Sequence, residues 1–257
     1  MTNEDYHGDK THYSSSVLKY ALHNMPKFKK HVDGKLSHEE TQAMAYGTLV
    51  HTLVLEPHLF DLEYCVHEGE TTATGLLPKK VVTAWEKKGD QRKLVPRCLV
   101  EKAKKAVEAI KAYPPANDLM FGSDDGENES SYFVKCSTSG LNLKFRPDRY
   151  LTKRKIIIDL KTASQADFDS FKRAIKWQFD YDLSAYQYTK GMYEVEGDVC
   201  EFYWVVVSSE DDPQVAVYKM SQETFQEGKT KFEKAVAKIE FAIEQDKYRL
   251  QNEVQEI

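Results

Sequence analysis

The chain has 257 residues, 41% of them hydrophobic, with 15 Tyr and 12 Phe; this is enough apolar surface for one large core and excludes a chain that is disordered throughout. A net charge of −5 and a pI near 5.9 exclude a protein that coats nucleic acid by bulk charge, so any phosphate contact must rest on a local patch. Four dispersed cysteines, Cys65, Cys98, Cys136 and Cys200, lack CxxC spacing, which argues against a zinc site or disulfide framework and for reduced thiols. The opening MTNEDYHGDK lacks the apolar stretch of a signal peptide, and no run approaches the roughly 20 apolar residues of a membrane span; the expectation is a soluble cytoplasmic protein.

Ser14 to Asn24 reads as a short helix with serines at its start, where hydroxyls cap free N–H groups. Ser37 with Glu40 three residues on forms a capping-box pattern that predicts the start of a longer helix through TQAMAYGTLVHTLVLEP, ending near Pro57. Gly47 and His51, four apart, share one face of it. Residues 66 to 95 read as irregular, with GETTATGLLPKK as a loop. Pro96 starts an amphipathic helix to about Ala112, with Leu99, Ala103, Ala106 and Ile110 as its apolar stripe. The Pro114-Pro115 pair is expected to end it.

After the acidic, turn-rich FGSDDGENES the period changes to two. Tyr132 to Cys136 and Leu141 to Phe145 predict hairpin strands around STSG. On the second, Leu141, Leu143 and Phe145 point one way, and Asn142, Lys144 and Arg146 the other. Asp148 joins the polar side if the strand continues past Pro147, which marks an edge or bulge. A strand from Lys155 to about Lys161 follows. Next come a helix from Ala166 to Trp177, with Phe168, Phe171 and Ile175 inward, and a helix from Leu183 to Glu194. The strands CEFYWVVVS and QVAVYKMS are joined by SEDDP. A helix from Glu223 to about Leu250 closes the chain, with Phe232, Val236, Ile239 and Ile243 as its stripe. This order predicts an α/β fold with a mixed central sheet flanked by helices and an N-terminal helical region.

The stretch KFRPDRYLTKRKIIIDLKT carries the chemistry. The run Ile156-Ile157-Ile158 heads into a core, yet Asp159 and Lys161 follow on one strand face. A carboxylate there is costly to desolvate without a partner. One reading is an ion pair from Asp159 to an arginine, with Lys161 reaching outward. The other is a cation site. Asp148, on the neighbouring strand, converges on Asp159, and two carboxylates that close repel unless a hard cation lies between them. Mg²⁺ suits such oxygen donors, and the Leu160 carbonyl adds a neutral oxygen. Lys161 beside that site can steady charge on an attacked phosphate. Lys144, Arg146, Arg149, Lys153, Arg154 and Lys155 form a basic cluster around Asp148. It reads either as a surface for a phosphate backbone or as a solvated hairpin surface.

Pro147-Asp148 followed by Asp159-Leu160-Lys161 resembles the PD-(D/E)xK nuclease core, which is restriction-endonuclease-like. More narrowly, MAYGTLVHTLVLEPHLF, ESSYFVKCSTSGLNLKFRPDRY and YDLSAYQYTKGMYE resemble the RecE-type exonucleases (exonuclease VIII), relatives of the phage lambda exonuclease. Together the matching pieces cover about residues 12 to 205. The resemblance implies one nuclease domain over 1–257: a mainly helical part at 1–115, a catalytic sheet with helices at 116–222, and a C-terminal helix at 223–257. It implies Asp148 and Asp159 as metal ligands, Lys161 as the catalytic lysine, His51 at the metal site and Glu129 holding water there. Tyr181 and Tyr188 match DNA-contacting positions. Ser184 stands where the family has glutamine, and Gln178 is a substitute for that contact.

The implied activity is Mg²⁺-dependent exonuclease cleavage of linear duplex DNA, Mn²⁺ substituting, from the 5′ end to leave 3′ overhangs. The implied partners are duplex DNA ends, a single-strand annealing protein and further copies of the chain in a ring, in a phage or prophage recombination setting within a bacterial cell. A structure- or site-specific endonuclease, and a DNA-end-binding module without catalysis, remain alternatives.

Overall fold

The computed structural model describes residues 3–37, 40–122, 125–245 and 248. In chain order the elements are α1 (Asn3–Gly8), α2 (Ser15–His23), α3 (Met25–Val32), α4 (Gln42–Leu55), a 3₁₀ turn (Pro57–Leu59), α5 (Phe60–Glu63), β1 (Tyr64–His67), α6 (Lys79–Lys88), β2 (Lys93–Pro96), α7 (Arg97–Ala112) and α8 (Pro114–Phe121). The sheet region follows with β3 (Gly126–Asn128), β4 (Tyr132–Lys135), β5 (Asn142–Phe145), β6 (Arg149–Leu151), β7 (Ile156–Ala163), α9 (Phe168–Arg173), a π-helical turn (Ala174–Gln178), α10 (Tyr181–Glu196), β8 (Glu201–Ser208), β9 (Val215–Lys219) and α11 (Gln222–Gln245).

The central sheet has the order β3-β6-β7-β8-β9. Its β7–β8 pair is parallel and its other pairs antiparallel, so the sheet is mixed. The parallel pair needs a crossover, supplied by α9, the π turn and α10. Both faces of β7 are covered, which is why three consecutive isoleucines suit it. Ile156, Ile158 and Leu160 pack with Leu49, Val50, Val100 and Ile110 of α4 and α7. Ile157 joins Phe202, Trp204, Phe171 and Ile175 on the other side. Each such side chain contributes about 1.5–3 kcal/mol on burial. By alternation, Asp159 and Lys161 stand on the Ile157 face. A third cluster ties Val17, Leu18 and Phe28 to Leu183, Phe232, Val236 and Ile239.

Helix α11 approaches α10 closely at Gly228, where a Cβ would stand 2.2 Å from the Asp182 carbonyl oxygen. A backbone atom cannot swing aside. Gly228→Ala is therefore expected to lower the unfolding free energy by about 1–3 kcal/mol, read as a lower urea midpoint at unchanged m-value. An unchanged midpoint would mean that α11 sits farther out.

Several sequence expectations shift. Ser37 lies outside any helix; Thr41 caps α4, its hydroxyl accepting the Met44 N–H at 3.2 Å. Residues 66 to 95 contain α6 and a parallel β1–β2 pair, whose short strands carry too little alternation to be read. The proline pair opens α8, because proline is tolerated in a first helical turn. Phe168 and Ile243 are exposed rather than inward. The expected end of the last helix at Leu250 lies outside the described residues. Among the described residues, no helix is long and apolar enough to cross a membrane.

Candidate active site

Helix α4 reaches the sheet because Gly47 has no side chain; a Cβ there would stand 3.0 Å from Thr162 Oγ1. His51, one turn on along the same face, thereby meets the end of β7. Its Nε2–H donates to the Leu160 carbonyl at 2.8 Å. That bond fixes the tautomer and leaves the Nδ1 lone pair facing Asp148 Oδ2, 3.7 Å away.

Asp148 stands one residue before β6. The β6–β7 register pairs Arg149 with Ile158, so the next step along the ladder brings Asp148 opposite Asp159. Asp148 Oδ2 accepts the Leu160 N–H at 2.5 Å. The two aspartates are 9% and 5% exposed. Glu129 follows β3 with φ 51, a left-handed conformation that costs a non-glycine residue about 1–2 kcal/mol. Its N–H donates to the Asp148 carbonyl at 3.2 Å. The outcome is a cluster in which His51, Glu129 and Asp148 each offer a ligand atom, all within 4.8 Å of one another.

Electrostatics follow from the burial. Desolvation raises the Asp148 pKa, and Asp159 adds to it against the opposing His51 and Lys161. Burial, with Asp148 beside it, pushes Glu129 up to about 8. Lys161 Nζ lies 2.6 Å from Asp159 Oδ2 and 5.2 Å from the Tyr181 ring centroid. Burial alone would lower the Lys161 pKa, but Asp159 and Asp148 outweigh it and raise it. Lys161 is thus an ammonium at neutral pH, a cation and proton donor rather than a base. Two carboxylates whose charged forms are disfavoured here, Asp148 by burial and Glu129 by burial and by Asp148, and an imidazole nitrogen are a donor set that fits a divalent ion.

Residues 14–249 match the family described as PDDEXK-like domain of unknown function (DUF3799). The chain belongs to this family. A solved structure of a candidate exonuclease from Eubacterium rectale superposes on the DUF3799 chain with a TM-score of 0.68 at 15% identity, covering 96% of this chain and 87% of that one. At that identity the likeness shows the fold. A phage-related exonuclease from Haemophilus somnus 129PT aligns over 92% of this chain and 96% of that one at 14% identity, with a TM-score of 0.37 that carries no argument. No curated protein matches the chain. The mixed sheet flanked by helices is therefore a PDDEXK-like fold.

The DUF3799 fold brings together His51, Glu129, Asp148, Asp159 and Lys161, keeps Arg146 close enough to Glu129 to oppose the rise of its pKa, and turns Lys144, Arg149, Arg154 and Lys155 elsewhere. Asp159 engages Lys161, not an arginine. The Leu160 carbonyl, expected as a metal ligand, accepts from His51 and so lies beside the cluster. Lys144 is 3% exposed and donates to the Tyr6 and Asp9 carbonyls, both at 2.6 Å; it anchors the N-terminal segment and has no surface for DNA. Arg149 is also buried, donating to the Leu119 carbonyl and Asn128 Oδ1. Arg146 lies over the Tyr6 ring and bonds Ser131 Oγ. Arg154 pairs with Asp118, and Lys155 with Glu196 and Asp198, at the start of β7, away from the aspartates.

Of the α10 residues, Tyr181 faces the site. Ser184 is buried. Tyr188, one face against Phe145 and Phe202, also lies near the site: burial, with the Asp159 and Asp148 charges close by, raises its phenol pKa. Gln178 lines the adjoining cleft. Gln187 is fully buried and donates to the Tyr13 and Lys144 carbonyls, a structural tie.

Sequence reasoning missed Lys19. Its Nζ lies 5.4 Å from the centroid of the same Tyr181 ring as Lys161, and burial together with the Lys161 charge lowers it to about 8. No local pattern marks it, since its relation to Lys161 spans the whole fold.

Glu129 makes the metal-free DUF3799 protein pH-sensitive. A folded pKa near 8 against an ordinary 4.5 means that the folded state holds the extra proton between those values, so stability falls as pH rises through that window. In the metal-free protein, the Tm advantage of Glu129→Gln over the wild type is expected to be small near pH 4.5 and to grow up to about pH 8. Saturating Mn²⁺ should narrow it by stabilising the ionised wild type. A difference that stays flat with pH, measured by calorimetry, would show that Glu129 titrates normally.

Proposed function

We propose that this protein is a divalent-metal-dependent deoxyribonuclease of the RecE type, acting as an exonuclease on linear duplex DNA. The observation that carries this reading is the convergence of His51, Glu129 and Asp148 beside the Asp159–Lys161 pair. These groups come from separate segments of the chain; Asp148 and Asp159 are buried and His51, Glu129 and Lys161 half-buried, in a PDDEXK-like fold. The name of the Eubacterium rectale neighbour is consistent with it.

Asp148, Glu129 and His51 would hold the cation, with Asp159 beside them. When bound, Mg²⁺ or Mn²⁺ supplies charge neutralisation at the scissile phosphate and activation of water. Lys161, held as an ammonium by Asp159, donates a hydrogen bond to a phosphate oxygen where negative charge accumulates. The His51–Leu160 bond orients the imidazole, and burial of the carboxylates keeps bulk water from screening these charges. In this reading cleavage runs from the 5′ end and leaves 3′ overhangs for an annealing protein in phage-type recombination, with copies of the chain assembled as a ring.

The test is linear duplex labelled at the 5′ or the 3′ end in turn, incubated with Mg²⁺ or Mn²⁺, with closed-circular duplex alongside. Early release of the 5′ label with the circle intact is the expected result. Cutting of the circle would replace the exonuclease with an endonuclease. Retention of both labels with metal and DNA bound would replace it with a DNA-end-binding module.

A further inference from the structure

A cleft of about 1260 Å³ opens beside Lys161, lined by Lys161, Tyr181, Gln178, Phe179, Arg173 and Lys102 among others. Phe179 stands out in it. The ring is 52% exposed, yet it is stacked on Tyr181 with centroids 5.3 Å apart and planes at 20°. Tyr181 in turn lies under the Lys161 ammonium at 5.2 Å. Phe179 is therefore separated from the catalytic lysine by a single ring.

The backbone holds it there at a cost. The preceding Ala174–Gln178 turn is π-helical, closed by the Phe179 N–H donating to the Ala174 carbonyl at 3.0 Å; such turns recur at functional sites. The following Asp180 has φ 47, a left-handed conformation unfavourable for this residue. Its carboxylate is clamped by His23 at 2.7 Å and Lys231 at 2.8 Å. An irregular turn on one side and a strained, ion-paired residue on the other present an aromatic face to solvent that ordinary packing would bury.

We propose that Phe179 is the stacking platform for an unpaired base of the substrate strand, next to the phosphate held at Lys161. An exposed aromatic face beside cationic side chains fits a nucleotide, which carries a flat apolar face and an anionic phosphate together. The interior bases of a duplex have both faces covered by their neighbours, so the base received is a frayed or single-stranded one. Arg173 and Lys102, with Lys93 and Lys105, also line the cleft and outnumber its acidic members Glu40, Glu101 and Asp211, leaving cations for the adjoining phosphates. This inference rests on the nuclease reading for its phosphate, but its binding test does not need cleavage.

The probe is a single-stranded oligonucleotide carrying 2-aminopurine at each of the first three positions from either end in turn, bound in Ca²⁺. Quenching is expected at one position with the wild type and with Phe179→Trp. Phe179→Leu, which keeps an apolar contact on Tyr181 and the wild-type melting temperature, is expected to lose that quenching and to bind about 10-fold more weakly or worse. Equal quenching in Phe179→Leu, or none in the wild type, would overturn the proposal.

The second arm is cleavage in Mg²⁺ with an abasic site at the quenched position. The abasic site should slow the wild type about 10-fold or more and leave Phe179→Leu no slower than on the intact strand. Cleavage with purely additive losses would sink the platform while sparing the nuclease. Quenching without any cleavage would sink the nuclease while sparing the platform.

Discussion

Asp148→Asn is expected to lower kcat/KM for DNA hydrolysis by about 10³-fold or more in saturating Mg²⁺. The change is nearly isosteric. The amide oxygen still accepts the Leu160 N–H that Asp148 Oδ2 accepts at 2.5 Å, so the β6–β7 junction keeps its geometry. What disappears is the charge on a carboxylate 3.7 Å from His51 Nδ1 and clustered with Glu129. Calorimetric titration with Mn²⁺ should show binding lost in parallel. The same substitution is expected to raise the Tm of the metal-free protein. Burial and the Asp159 charge raise the Asp148 pKa, so its ionised form weakens the folded state and a neutral amide does not. Activity and metal-free stability thus move in opposite directions, as expected of a buried site whose charges await a ligand. A variant that keeps more than about a tenth of its activity would place the essential cation elsewhere.

The second large effect is at Lys161. Lys161→Ala should reduce kcat by about 10²–10³-fold with a smaller change in KM, the pattern for a contact made chiefly in the transition state. Stability interferes with a simple reading, because the substitution strands Asp159, which is 5% exposed and 2.6 Å from the lysine. Removing one partner of so buried a pair costs roughly 3 kcal/mol. Asp159→Asn combined with Lys161→Met removes both charges at similar volume. It is expected to recover most of that stability and none of the activity. If the double variant regains activity with its fold, the lysine is structural. Because Asp159 and Asp148 raise the Lys161 pKa, the wild-type rate should show no loss from lysine deprotonation between about pH 6 and 9. A falling limb in that range that vanishes in Lys161→Arg would contradict the ammonium assignment.

Local pattern places some side chains of the stretch from Lys144 to Lys161 and not others. Asp159 and Lys161 were legible because a strand alternates with period two, and because three isoleucines leave no doubt where the strand lies. Asp148 is placed by sequence on a continuation of the 141–145 strand, whereas the structure ends β5 at Phe145, in a separate sheet, and sets Asp148 just before β6, whose antiparallel register with β7 brings it opposite Asp159. Four of the six basic residues around Asp148, namely Lys144, Arg149, Arg154 and Lys155, turn away from it, because closeness in sequence is not closeness in space. A strand sends neighbouring side chains to opposite faces, so Arg149 turns under α8 to the Leu119 carbonyl. Lys144 goes inward to two carbonyls of the N-terminal segment. Arg154 and Lys155 sit across the turn, one strand length from the carboxylates, with acids of their own. Glu129 looked like one acid in an acidic loop. Its strained backbone and burial against Asp148 appear only once β3 pairs with β6.

By itself the sequence determined the element types over most of the chain, the α/β class, and the pair of carboxylates with a lysine at the end of a buried strand. These are local properties: periodicity, turn chemistry and the cost of desolvating a charge are set by residues a few positions apart. The tertiary structure alone decided that His51 turns its Nδ1 to the cluster, that Lys19 joins Lys161 at Tyr181, and that Phe179 faces the cleft. Each of those depends on elements more than a hundred residues apart, or on an irregular turn clamped from α2 and α11. Packing, not pattern, sets such distances.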